Sequence, residues 1–170
     1  MGGTYGSAVY YVGNEGGQNS GDVHQLGVDN KGNWMDHDLY MSVIQGSPKP
    51  ATPTELASFY ADGDRPILVF YKSYDEDDLH VLEGPGGGWE DKDLTVATNG
   101  PHVSDMALTS FHASGYSAPL HVYYIDNLGD YHVHEAYDYP DDNHWWGNHP
   151  TSRTNSPGAT GNVLTSLWIP

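Results

Sequence analysis

Three tryptophans, Trp34, Trp89 and Trp145, recur 55 and 56 positions apart, and residues able to hold a polar ligand recur with them. A flat apolar ring is what the C–H face of a sugar packs against in a shallow polar pocket. The same spacing also suits indoles that pack between repeats as core. Neighbours in an extended chain point to opposite faces, so Trp146 is expected to be exposed where Trp145 is not. Glu83 and Glu135 close two matching strings, Leu79-His80-Val81-Leu82-Glu83 and Tyr131-His132-Val133-His134-Glu135. A carboxylate at a strand's end can accept two hydroxyl bonds. In the first copy Gly27 stands in that place, so its pocket should be weak or empty. His24, His80 and His132 fall at spacings of 56 and 52. They are expected to bond a carboxylate such as Asp38 or Asp93 and so tie one strand to the next.

Metal and catalytic chemistry find less support. His132 and His134 sit on one face of a strand, with Glu135, His144 and His149 nearby, yet their spacing fits no recognised ligand set. No metal and no cofactor is expected, and chelation should leave stability and binding unchanged. The acidic run Asp75-Glu76-Asp77-Asp78 lacks the glycine and closing Glu of a calcium loop and reads as a solvated turn. Acids repeat once per copy, as equivalent binding sites would. A glycosidase needs an unlike pair converging at one centre. A non-enzymatic protein is expected.

The elements that must carry these residues are short strands. Leu120-His121-Val122-Tyr123-Tyr124 and the run ending at Glu135 are aromatic and β-branched and flank a polar turn, a hairpin signal. Ile67-Leu68-Val69-Phe70-Tyr71 with the run ending at Glu83 follows the same plan, as do Ala8-Val9-Tyr10-Tyr11 and Val23-His24-Gln25-Leu26. Each copy closes on a tryptophan turn. A further strand precedes the second and third copies, at residues 56–61 and 108–113. The first copy has none, and its match is Leu164-Thr165-Ser166-Leu167-Trp168 at the far end. Proline-bearing crossings lie at 46–55, 98–101 and 154–158.

A period in the fifties with three or four strands per copy is the pattern of propeller blades. The fold class is therefore all-β, a β-propeller with three blades per chain. Blade one covers residues 1–54, blade two 55–104 and blade three 105–161, in one half-propeller domain. Three blades cannot close a ring, and an open arc leaves exposed edges. A head-to-tail homodimer closes it: residues 162–170 complete the partner's first blade, and the ring has six blades.

Composition agrees. Twenty-one glycines and eleven prolines, interspersed among apolar runs, suit an all-β chain with many turns. A formal charge of −17, from 6 Lys and Arg against 23 acids, excludes a phosphate-neutralising surface and hence nucleic acid as a partner. There are no cysteines and no apolar run of membrane-spanning length. The expectation is a soluble protein without membrane insertion, cytoplasmic or released without a recognisable signal peptide.

The order of aromatic strand, short turn, strand ending in Glu, then Gly-Gly-Trp and Asp-Leu-Thr resembles the repeats of fucose-binding β-propeller lectins of fungi and bacteria. Val69-Phe70-Tyr71, Glu83, Gly87-Gly88-Trp89 and Asp93-Leu94-Thr95 carry the resemblance best. It implies glycans as partners, bound in pockets between adjacent blades, with an aromatic ring on the sugar and Arg and Glu on its hydroxyls. The family's Arg would fall at Ala8, Leu68 and His121, so only His121 could donate there. The resulting candidates are Glu83, Glu135 and His121 as polar contacts. Trp34, Trp89, Trp145, Trp146, Tyr71 and Tyr124 are the candidate aromatic ones. The alternatives are a propeller scaffold for protein partners or a metal-dependent glycoside-acting enzyme.

Overall fold

A computed structural model describes residues 8–13, 21–28, 31–39, 48–51, 56–60, 67–84, 88–112, 119–128, 131–139 and 144–151. The expected strand at 164–168, the rest of 162–170 and the crossing at 154–158 lie outside the described residues. The chain is all-β, in three antiparallel sheets whose strands follow one another in chain order. The first sheet holds β1 (Ala8–Gly13), β2 (Asp22–Val28) and β3 (Trp34–Asp38). The second holds β4 (Ala57–Tyr60), β5 (Ile67–Lys72), β6 (Leu79–Gly84) and β7 (Glu90–Asp93). The third holds β8 (Val103–His112), β9 (Leu120–Asp126), β10 (Val133–Asp138) and β11 (Trp145–Asn148).

Two boundaries differ from the sequence reading. The tryptophan turns are largely strand: Trp34 and Trp145 open β3 and β11, and Trp89 stands directly before β7, because the residues after each indole pair with the preceding strand. β8 begins at Val103, ahead of the boundary placed at 104/105. A register irregularity between Val103 and Leu108 breaks the alternation that would have marked its start.

The sheets pack face to face. Strand alternation gives each sheet two faces, and the one bearing Leu68, Phe70, Leu79 and Val81 of the second sheet meets Leu120, Val122, Tyr124, Ala136 and Trp145 of the third. Phe70 and Trp145 meet edge to face, with centroids 5.9 Å apart. The opposite face of the second sheet, Val69, Tyr71 and Leu82 with Trp89, packs on Val23 and Tyr10 of the first. There Tyr10 and Trp89 meet edge to face at 6.1 Å. Trp89 and Trp145 thus each pack on the aromatic strand of the preceding sheet. Close approach explains Gly84, where any side chain would collide with the Trp89 indole.

Helix α1 (Leu94–Thr98) follows β7 and lies against both β6 and β11. Leu94 is buried, and Asp93 caps the helix by accepting the Val96 amide at 2.8 Å. Asn99 ends the helix in the left-handed region at φ 50°, with its own amide turned back onto the last turn. With EDTA present, thermal unfolding of Asp93→Ala should show a loss of about 1 kcal/mol, while Asp93→Asn, which keeps a capping oxygen, should stay near wild type. Among the described residues no helix is long and apolar enough to cross a membrane.

Candidate functional site

Register decides which residues are equivalent. His24 lies opposite Tyr11 and Asp38, and His80 opposite Tyr71 and Asp93. In the third sheet the residue opposite Tyr124 is His134, two positions beyond the expected His132. The same correction moves the carboxylate. Glu83 lies opposite Leu68, and the residue opposite His121 is Tyr137, so Glu135 stands one pair further in, opposite Tyr123.

The recurrent histidines bond carboxylates, as expected, though not the acids directly opposite. His24 Nδ1 donates to Asp36 at 3.3 Å and Tyr11 to the same carboxylate at 3.0 Å. His80 Nδ1 donates to Asp91 Oδ2 at 3.1 Å, and Tyr71 to Asp91 Oδ1 at 2.9 Å. The Tyr11 and Tyr71 rings stack on their histidines with centroids 5.0 and 5.2 Å apart. Burial disfavours charge on His80, but the hydrogen bond to Asp91 and the charges of Asp91, Asp93 and Asp78 outweigh it and raise its pKa. In the third sheet Gly147 replaces the acid, because a Cβ there would lie 3.0 Å from the Thr98 carbonyl oxygen. His134 turns instead to Asp126, 2.8 Å from its Nε2. Burial there dominates, with His149 and His132 adding to it, and the His134 pKa falls below its ordinary value.

The other face of the third sheet carries a polar and aromatic row. Alternation and register place His121, Tyr123, Glu135, Tyr137, Trp146 and Asn148 together on it. Glu135 organises the row: Oε1 accepts from His121 Nδ1 at 2.8 Å and from Tyr123 at 2.6 Å, and Oε2 accepts from Asn148 at 2.8 Å. Burial alone would raise the Glu135 pKa, but these three donors outweigh it and hold it at about 2. His121 lies between nearly parallel Tyr123 and Tyr137 rings at 6.2 and 6.0 Å. Trp146 is half exposed, and His144 meets it edge to face at 4.6 Å.

The remaining sequence candidates scatter. Tyr71 and Tyr124 are fully buried, stacked on His80 and His134, with hydroxyls bonded to Asp91 and Thr98; they belong to the core. Trp145 is buried and Trp146 exposed, as alternation predicts. Glu83 and Trp89 do not share a site, because they lie on opposite faces of the second sheet. Glu83 instead faces the side on which Trp145 packs, and one of its oxygens accepts from Lys92 at 2.7 Å. Trp34 is 60% exposed. Sequence reasoning missed Tyr137 and Asn148, whose signal was the register of β10 against β9 and β11.

This fold is all-β and propeller-like in its succession of antiparallel sheets, each packed on the next. No protein-family model and no curated protein matches the chain. Among solved structures it is similar to a fucose lectin from Kordia zhangzhouensis in complex with methyl-fucoside, with a TM-score of 0.54 and 17% identity over 83% of this chain and 87% of that one. At that identity the likeness concerns the fold.

Proposed function

We propose that the protein is a non-catalytic carbohydrate-binding lectin, multivalent through clefts between successive sheets. The observation that carries this reading is the third-sheet row, where the exposed Trp146 ring sits beside His121 and Tyr137 over the fixed Glu135 network. Flat apolar rings beside pre-oriented polar groups are what a pyranose, with one C–H face and a rim of hydroxyls, requires. The fold likeness to a fucose lectin supports it.

The clefts are unequal. Between the first and second sheets, Gly27 and Met35 face Trp89. Between the second and third, Glu83 and Lys92 face Trp145, and the Glu83 oxygen not taken by Lys92 can accept a sugar hydroxyl. The cleft beyond the third sheet is lined by His121, Tyr137 and Trp146, and among the described residues it has no far wall. A glycan array at matched protein concentration tests the reading. Specific hits are expected, weakened about fivefold or more in Trp146→Ala, from the roughly 1 kcal/mol or more that an aromatic contact contributes. A blank array, with a protein partner captured instead, would overturn it in favour of a scaffold.

The missing wall is supplied by a second copy, giving a six-bladed ring of two three-bladed chains. Val9 and Tyr11 of the first sheet are 52% and 39% exposed, while their equivalents Val69 and Tyr71, covered by the preceding sheet, are 0% and 1% exposed. Trp34 is the equivalent of Trp89 and Trp145, which pack on Tyr10 and Phe70 of the sheets before them. In the third sheet the residue equivalent to Tyr10 and Phe70 is Tyr123. Head-to-tail closure seats Trp34 of one copy on Tyr123 of the other and completes the Trp146 cleft.

A further inference from the structure

The turn before β6, β6 itself and the end of β7 bring together three groups, of which the sequence reading had joined only His80 and Asp93. Asp78, assigned above to a solvated turn, is buried, and one potential ligand atom from each of Asp78, His80 and Asp93 lies within 4.8 Å of the others. Each is half committed elsewhere. Asp78 Oδ1 accepts from His102 Nδ1, 2.6 Å away, and Asp93 Oδ1 accepts the Val96 amide, which leaves one oxygen on each. His80, 3% exposed, gives its Nδ1 proton to Asp91, so the ring offers Nε2, which is buried without a hydrogen-bond partner. A buried imidazole nitrogen without a partner beside two carboxylates is a place where a cation is stabilised, whether a proton on the ring or a metal ion.

We propose that Asp78, His80 and Asp93 form a binding site for a divalent cation of the zinc type, pinning β6 to the end of β7. The donor set suits it: Zn²⁺ takes imidazole nitrogen and carboxylate oxygen at about 2.0–2.2 Å, so binding would draw these atoms roughly 1 Å closer together. The surrounding shell suits it as well. Metal-bound histidines usually donate their other ring N–H to a carboxylate, and His80 does so to Asp91, itself fixed by the Tyr71 hydroxyl.

The other sheets provide an internal comparison. The equivalent trio in the first sheet is Asp22, His24 and Asp38, where the His24 Nε2 points along the sheet toward Gly13, the partner of Asp22, and lies 2.7 Å from where a Cβ on Gly13 would be. There His24 Nε2 is likewise buried without a hydrogen-bond partner, but a built-in cation sits beside the acids, with Lys49 Nζ 2.9 Å from Asp22 Oδ1. In the second sheet Lys72 pairs with Asp77 at 2.7 Å. In the third sheet both acids of the trio are histidines, His132 and His149, and His134 Nε2 is engaged by Asp126. Among the described residues, the second sheet combines two carboxylates and an imidazole nitrogen without a hydrogen-bond partner.

The test uses the full chain, stripped with chelator and titrated with Zn²⁺ by calorimetry, with Co²⁺ absorption in the visible as a second readout. Wild type should take up one tight equivalent per chain, with Co²⁺ d–d bands. Asp93→Asn keeps the helix cap and should bind at least about tenfold more weakly, with the bands lost. A His132→Gln/His149→Gln double variant should keep the wild-type affinity. No tight uptake by wild type, equal uptake by Asp93→Asn, or loss confined to the His132/His149 variant would overturn the proposal.

Discussion

Trp34→Asp is expected to convert a dimer into an 18.6 kDa monomer while leaving the chain folded. The indole is 60% exposed within the chain, so replacing it should change monomer stability by no more than about 0.5 kcal/mol. In the closed ring the same residue would sit on Tyr123 of the second copy, in the manner of Trp89 on Tyr10 and Trp145 on Phe70. Losing a central aromatic anchor of an interface costs about 2 kcal/mol or more, and an aspartate left there adds a desolvated charge. Sedimentation equilibrium reads the result directly. A wild type that is already monomeric, or a variant that dimerises with unchanged affinity, would remove the ring closure. The Trp146 cleft makes a linked case: without its far wall it should bind glycan less well in Trp34→Asp, although Trp34 lies on the opposite end of the chain's own arc.

The second large effect concerns Glu135. Replacing it by Ala is expected to cost about 3 kcal/mol, the free-energy equivalent of holding a carboxyl at about 2 instead of 4.5. For a chain of this size that lowers the thermal midpoint by roughly 6–12 °C. Because the folded value lies below the unfolded one, the contribution is complete above pH 4.5 and is lost as the pH falls from 4.5 toward 2. Wild type and Glu135→Ala should therefore converge in stability across that interval. No difference at neutral pH would show that the contacts from His121, Tyr123 and Asn148 contribute nothing net, and a midpoint difference that persists unchanged at pH 2 would show that their contribution does not depend on the carboxylate's charge. Glu135 is committed to His121, Tyr123 and Asn148, whereas Lys92 takes only one Glu83 oxygen, and on the proposed reading it is Glu83 that would bond a sugar hydroxyl.

The strands were legible in the sequence because their signals are local. Aromatic and β-branched runs such as residues 67–71 and 120–124, bounded by polar turns, mark the hairpins without reference to anything distant. The recurring indoles were legible as well, and packing sets Trp89 and Trp145 against Tyr10 and Phe70 while Trp34 stays exposed. Register was harder. The strings around His80 and His132 share His-Val-x-Glu, which drew Glu135 into line with Glu83, but the pairing with β9 and β11 slides β10 by two residues. A slide of two keeps every side chain on its original face, so hydrophobic alternation cannot reveal it. The Glu83 and Trp89 pairing failed for the complementary reason. The two are near in sequence, yet the turn between β6 and β7 places them across an odd number of strand positions and so on opposite sides of the sheet. The trio of Asp78, His80 and Asp93 depends on pairing across β6 and β7, which no linear spacing displays.

The short segment around Pro50 fastens two sheets at once. Its carbonyl accepts the Gly21 amide of the first sheet at 3.2 Å, while on the other side Ala51 donates to Lys72 at 2.9 Å and Tyr74 donates to Lys49 at 2.8 Å. His102 and Val103 repeat the device one sheet later, with Val103 donating to Asp77 at 2.7 Å and His102 accepting from Asn127 at 3.2 Å. Arrays of repeats can open one unit at a time when neighbours touch only through side chains. Here neither sheet can swing away without stripping backbone partners from the strap that it shares with the next, so neighbouring sheets are expected to open together rather than singly.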